Sequence, residues 1–248
     1  MTGIFEGGPK RTHRVATPWG APSGPIEEGE VGGVRVLFLP RHGPGHTIPP
    51  HRVNYRANID ALRSLGAEAI VTVSSVGSLK ESLPPGTFVL PDQFVDLTKQ
   101  RPTTFYDGGR VYHVSLADPF CPDLTEGAAS VGREIGIPFV EKATYVCVEG
   151  PRFSTRAESA YFRTFADVIG MTLVPEVTLA RERALCYLSL AMVTDFDVWA
   201  DRPVEAKEIV ETMHRNVDRM ARVLSRLLPR VARPPSCACA RALDDAGV

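Results

Sequence analysis

The stretch Ala191-Met-Val-Thr-Asp-Phe-Asp-Val-Trp199 constrains the rest of the chain more than any other. Leu188, Leu190, Met192 and Val193 form an apolar run that reads as a buried strand, and buried strands seldom finish with two acids in three residues unless something pairs with them. By the two-residue period of a strand, positions 195 and 197 project to one face, so Asp195 and Asp197 are expected to converge on one polar edge. The acids then either meet solvent or face a ligand.

The same pattern of an apolar run closing in polar groups recurs along the chain. Val34 to Leu39 reads as a strand that opens into Pro40-Arg-His-Gly-Pro-Gly-His46, a Gly- and Pro-broken basic turn of the kind that holds ligands at strand ends. Before it, the opening residues offer little periodicity. Asn54 can cap a helix carrying Ala57, Ala61, Leu62 and Leu65, with Gly66 as its stop. Residues 69–76 form a second buried strand ending in Ser74 and Ser75; 87–90 a short one leading on to Asp96; 111–114 one that carries His113; and 143–148 one that delivers Phe153. A helix is expected over 124–135. Another follows the capping box Thr155-Arg-Ala-Glu158, with Tyr161, Phe162 and Phe165 on its buried side. A short helix starts near Pro175, and a long amphipathic one from Pro203 carries Ile209, Met213, Val217, Met220, Leu224 and Leu228 on one stripe. Alternating strands and helices around one sheet make the class α/β, with a domain over 1–230 and a tail over 231–248.

With 28 basic and 29 acidic side chains in 248 residues, the net charge of -1 argues against nucleic acid or an anionic membrane as partner and leaves room for a small charged ligand. The first residues lack the regions of a signal peptide, and no apolar run approaches the ~20 residues of a membrane helix, so a cytoplasmic protein is expected. Cys121, Cys147 and Cys186 read as buried thiols; Cys237 and Cys239 lie in the tail, too sparse as a pair for a structural zinc site and able to form a strained disulfide or sit idle. His42, His46 and His51 do not read as a metal cluster, because Gly43, Pro44 and Gly45 forbid the helix that would align the first two. No metal site is expected.

Arg41 and His42, with the hydroxyls of Ser74, Ser75 and Thr172, have the chemistry of an oxyanion site and suit phosphate, although in isolation they also fit a surface ion pair and turn serines. Phe153 is either a core aromatic or a platform for a planar ring. Taken with two carboxylates able to accept from an exocyclic amine or protonate a ring nitrogen, it describes a purine pocket.

The segments Arg41-His-Gly-x-x-His-Thr47, Val53-Asn-Tyr-Arg-Ala-Asn58, Pro91-Asp-Gln-Phe-Val-Asp96, Arg101-Pro-x-x-Phe-Tyr-Asp107, Ala117-Asp-Pro-Phe-Cys-Pro122, Val148-Glu-Gly-Pro-Arg-Phe-Ser-x-Arg-Ala-Glu158, Met171-Thr-x-x-Pro-Glu176 and Thr194-Asp-Phe-Asp197 resemble, in order and over nearly the whole chain, the 5′-methylthioadenosine phosphorylase branch of the purine nucleoside phosphorylase superfamily. The resemblance implies a mixed central sheet flanked by helices and a homotrimer with sites near the subunit interfaces. The implied reaction is phosphorolysis of a 5′-modified adenosine to adenine and a 5-modified ribose 1-phosphate, with inorganic phosphate as co-substrate and no cofactor. By family pattern Thr2, Arg41, His42, Ser74, Ser75 and Thr172 hold phosphate. Met171 lies against the ribose, Phe153 packs on the base, and Asp195 and Asp197 recognise N7 and the 6-amino group. His46 joins the substrate-binding set; His113 is lent by a neighbouring subunit to the 5′ pocket, which Ala206 and Ile209 also line. Asp195 is expected to carry or relay the proton to N7, its carboxyl raised by burial and by Asp197.

Relative to that pattern the usual first strand is missing, and of a Gly-Gly-Ser/Thr-Gly phosphate turn only Thr2-Gly3 is present. Either the start lies upstream, or the chain has half a phosphate loop and an unfilled sheet position. Three rival readings of the function stay open: a general purine nucleoside phosphorylase acting on adenosine or inosine, a metal-dependent hydrolase using the histidines, and a non-catalytic nucleoside-binding relative.

Overall fold

Three short strands, β1 (Arg11–His13), β2 (Ile26–Val31) and β3 (Val34–Phe38), pair antiparallel in that order in the computed structural model. The model describes residues 5–200, 206–231, 236–244 and 246–247, with the side chains of 206–211 and 213–215 outside that description. β3 was expected; β1 and β2 were not. β2 buries only Ile26, Gly29 and Val31, a spacing that follows no clean period of two. Gly29 is required there because a Cβ would sit 2.5 Å from the Phe5 ring.

After α1 (Tyr55–Ser64), which the Asn54 side chain caps by accepting from the Ala57 N–H at 3.1 Å, the chain builds the central sheet. Its strands are β4 (Ala69–Ser78), β5 (Phe88–Leu97), β6 (Phe139–Val148), β7 (Val168–Gly170) and β8 (Cys186–Asp195). They are hydrogen-bonded in the order β4-β7-β6-β5-β8, and β8 returns to β4, so the mixed sheet expected from sequence closes into a barrel. Pairings β4–β8, β5–β6 and β6–β7 are parallel; β4–β7 and β5–β8 are antiparallel. β5 is one strand rather than a short strand with an extension, because the register shifts around Pro91 absorb its missing N–H.

Helices α2 (Pro122–Glu134), α3 (Arg156–Phe162), α4 (Glu176–Glu182) and α5 (Ala206–Val231) cover the barrel. The capping box of α3 forms as read, with Thr155 Oγ1 accepting from Glu158 N–H and the Glu158 carboxylate from Thr155 N–H. The buried side of α3 does not include Tyr161: Phe162 points inward, while Tyr161 is 64 % exposed and only leans on Phe165 edge-on. The expected strand over 111–114 is absent, only Tyr112 making an isolated bridge, to Gly247. No helix among the described residues is long and apolar enough to cross a membrane.

β3 pairs with β2 alone, and β4 meets β7 only at Gly77 and Ser78. Among the described residues the remaining edges of β3 and β4 have no strand partner. Both line one cavity of about 1300 Å³, together with Met220, Leu224 and Leu228 of α5. The cavity continues from these edges to the strand ends that carry the polar residues.

Candidate active site

Because β4 and β8 run parallel, their C-terminal ends emerge side by side, as ligand sites in α/β sheets require. The register shifts between Val76 and Gly77, which brings Gly77 opposite Asp195. A Cβ at Gly77 would lie 2.9 Å from Asp195 Oδ1 and 3.3 Å from Asp197 Cβ, so the missing side chain is what makes room for the acids.

The two acids converge, though not by strand alternation. β8 ends at Asp195, and Asp197 sits in a turn with φ of +50°, a left-handed conformation that Asp tolerates better than most residues. The turn carries the Asp197 N–H back to Asp195 Oδ1 at 2.8 Å, while Thr194 Oγ1 donates to Asp195 Oδ2 at 2.8 Å. Asp197 is only 4 % exposed, and its Oδ2 makes no hydrogen bond of normal geometry. Burial pushes its carboxyl above the ordinary 3.8; the nearby Ser159 and Ser154 hydroxyls and the Val198 N–H counter only part of this. Of the pair, Asp197 is thus held toward its protonated form. Trp199 closes the turn: its Nε1–H donates to Ser78 O at 2.7 Å, with the Arg163 guanidinium 4.0 Å above its ring.

At the opposite end of the site, Arg41 follows β3 into a turn held by Gly43 N–H to Pro40 O and His46 N–H to Gly43 O. Its guanidinium forks onto Glu176, Nε to Oε1 at 2.9 Å and Nη2 to Oε2 at 3.0 Å, and Tyr187 Oη donates to Oε2 at 2.8 Å. Burial alone would lower the Arg41 pKa, but the charge and hydrogen bonds of Glu176 outweigh it and raise the value. Glu176 entered the sequence reading only as part of a motif; its contact with Arg41 spans 135 residues and no local pattern could reveal it. His42 donates from Nδ1 to Ile48 O at 2.8 Å, and burial is the main reason its pKa falls below 6.5. His46, at φ of +57°, stacks on His42 with ring centroids 4.3 Å apart. Ser74 Oγ is buried without a hydrogen-bond partner, and Thr172 is 8 % exposed.

The lining of the cavity thus includes Arg41, His42, His46, Ser74, Ser75, Phe153, Met171, Thr172, Asp195 and Asp197. Phe153 is 43 % exposed, which fits a ring platform better than a core aromatic. His113 is not in that lining. It is exposed, and its N–H donates to Ala246 O at 2.8 Å. Thr2 and the side chains of Ala206 and Ile209 lie outside the described residues.

Arg101 was missed as a site residue and holds the site together. It is buried, and it donates to Tyr55 Oη at 3.2 Å, Met171 O at 2.8 Å, Val174 O at 2.5 Å, Glu149 O at 2.6 Å and Glu149 Oε1 at 3.2 Å. It therefore ties the end of β6 to the segment that carries Met171 and Thr172. The described residues contain one group of three or more side chains able to hold a metal, and it is not the histidines: Cys121, Cys186, Cys237 and Cys239, none of which lines this cavity.

A family model described as the phosphorylase superfamily matches residues 5–229. The chain belongs to the phosphorylase superfamily. S-methyl-5′-thioadenosine phosphorylase of Pyrococcus furiosus is 54 % identical over 97 % of this chain and 93 % of its own length. Among solved structures, a methylthioadenosine phosphorylase from an Antarctic soil metagenomic library superimposes with a TM-score of 0.92 at 46 % identity, covering 96 % of this chain and 85 % of that one. Methylthioadenosine phosphorylase of Schistosoma mansoni, in complex with adenine, gives a TM-score of 0.92 at 36 % identity over 98 % and 92 % of the two chains. The superfamily membership and the nucleoside phosphorylase fold expected from the motifs both hold.

Proposed function

We propose that this chain cleaves S-methyl-5′-thioadenosine with inorganic phosphate, releasing adenine and 5-methylthioribose 1-phosphate. The observation that carries the reading is one cavity lined both by a carboxyl pair and by Arg41, Thr172 and an unpartnered, buried Ser74 hydroxyl. The relatives named above act on the same nucleoside.

In this reading phosphate is held by Arg41, His42, Ser74, Ser75 and Thr172, the ribose lies against Met171, and adenine stacks on Phe153. As the bond from C1′ to N9 breaks, its electron pair passes into the purine, and a phosphate oxygen forms the new bond to C1′. Adenine leaves poorly as an anion, so N7 takes up a proton as the bond opens. Asp195 carries or relays that proton. The carboxyl held toward its protonated form by burial is Asp197, whose backbone N–H already touches Asp195, so the pair rather than Asp195 alone is the proton reservoir. An acceptor opposite the 6-position favours an amine over a carbonyl.

The same reading includes a cytoplasmic homotrimer that needs no cofactor, with His113 reaching the 5′ pocket of a neighbouring subunit; exposure of His113 outside its own cavity supports that part. Light scattering checks the assembly. The activity itself is tested by adenine release from S-methyl-5′-thioadenosine with and without phosphate, with adenosine and inosine alongside. Release only with phosphate, and slowest from inosine, is expected; equal release without phosphate, or none from folded protein, overturns the reading.

A further inference from the structure

Away from that cavity, four of the five cysteines meet. Cys121 stands immediately before α2, Cys186 opens β8, and Cys237 and Cys239 follow α5; their Sγ atoms all lie within 4.8 Å of one another. Cys237 Sγ is 3.6 Å from Cys121 Sγ and 3.4 Å from Cys186 Sγ. Three of the thiols are buried and Cys237 is half-buried. The tail pair looked too sparse for a metal in the sequence, because the other two sulfurs come from positions 121 and 186.

Separate contacts deliver the four sulfurs to one point. The Cys121 N–H bonds Tyr187 O at 2.9 Å, fastening the start of α2 beside the start of β8. The Asp123 carboxylate then accepts from Ser236 N–H at 2.6 Å, Ser236 Oγ at 3.0 Å and Cys237 N–H at 3.1 Å, docking the tail on the first turn of α2.

We propose that Cys121, Cys186, Cys237 and Cys239 form a closed tetrathiolate site for Zn²⁺. A zinc–sulfur bond of about 2.3 Å in a tetrahedron sets sulfurs about 3.8 Å apart. The separations of 3.4 and 3.6 Å and the outer limit of 4.8 Å bracket that value. Binding replaces the thiol protons with four Zn–S bonds, releases those protons to solvent and changes no oxidation state. With four thiolates the shell is full, so the ion is structural rather than hydrolytic. It clips the tail to α2 and β8. The same tail gives Gly247 to Tyr112 and Ala246 O to the His113 N–H, so the clip also steadies the segment carrying His113.

The test is metal analysis of the full chain purified without chelator. One zinc per chain is expected, set free when a mercurial titrates the thiols, and Co²⁺ exchange should give sulfur-to-metal charge-transfer bands with tetrahedral ligand-field bands. Cys237→Ser/Cys239→Ser should hold neither metal. Since that variant also loses its clip, the wild-type measurement decides. Disulfides linking these cysteines in unreduced protein overturn the proposal. So do four freely alkylated thiols with no metal after growth in zinc and no cobalt spectrum, or iron bound with zinc excluded.

Discussion

The two ends of the cavity are built on opposite plans. At the base end the polar groups bond to one another: Asp197 N–H to Asp195, Thr194 to Asp195, Trp199 to Ser78, over a glycine that clears the space. At the proposed phosphate end the principal cation is taken by Glu176 on α4, which lines the same cavity, while Ser74 has no partner. Each end keeps a buried polar atom without a partner, Asp197 Oδ2 at one and Ser74 Oγ at the other; the difference is that the acids are braced by their own turn, whereas anion binding depends on how Arg41 is shared between a carboxylate and phosphate. Each end can be damaged separately.

The largest effect expected is at the acids. A placed acid contributes ~10²–10⁴ in rate, so Asp195→Asn should cut kcat by that order while the phosphate KM moves little. Near-normal turnover would remove Asp195 from the proton path. Asp197→Asn should also depress kcat, and its pH profile should lose the limb belonging to the raised carboxyl; an unchanged profile would show that the shift on Asp197 has no part in catalysis.

At the phosphate end, Glu176→Gln keeps the shape but withdraws the charge from the Arg41 fork and from the Tyr187 hydroxyl. Charge-assisted bonds are worth about 1.5–3 kcal/mol, so a rise of roughly tenfold or more in phosphate KM is expected, with a lower melting midpoint. Steady-state kinetics at saturating nucleoside reads it. A lower phosphate KM would mean that Glu176 competes with phosphate instead of positioning its ligand.

Gly77→Ala probes the base end without changing any titratable group. The added methyl meets Asp195 Oδ1 at 2.9 Å and Ile169 Cγ2 at 3.1 Å, and overpacking of this kind costs about 1–3 kcal/mol. Turnover should fall while phosphate KM holds. Loss of phosphate affinity as well would mean that the two ends are coupled through β4.

Much of this contrast was legible before the fold. The acids at the end of β8, the caps of α1 and α3, and the residues of both ends were readable because they depend on local spacing, and the ordered motifs tied them to one family. What escaped depends on contacts distant in sequence or on backbone turns. Arg101 enters the sequence only as part of a motif, and neither its carbonyl partners nor the clearance that Gly77 gives Asp195 is visible there; strand alternation leads to the right conclusion about Asp197 through the wrong geometry. Tyr161 was misassigned because helical period identifies a face without saying how wide its buried part is.

The smallest effect expected is a pH dependence specific to the phosphate end. His42 has a folded pKa below its unfolded 6.5, so between those values the unfolded chain binds more protons and stability rises with pH. The gain is complete above 6.5 and is lost as pH falls through 6.5 toward the folded value. With Nδ1–H committed to Ile48 O, the neutral ring offers phosphate only an acceptor at Nε2, which suits the hydroxyl of a monoprotonated phosphate or draws a proton in with the anion. Phosphate binding followed by calorimetry in buffers of different ionisation heat should therefore show proton uptake near pH 7 that disappears in His42→Asn. Uptake that persists in the variant would shift the coupled proton to another group, and with it the distinction between a pH-sensitive phosphate end and a base end whose proton resides in the Asp195–Asp197 pair.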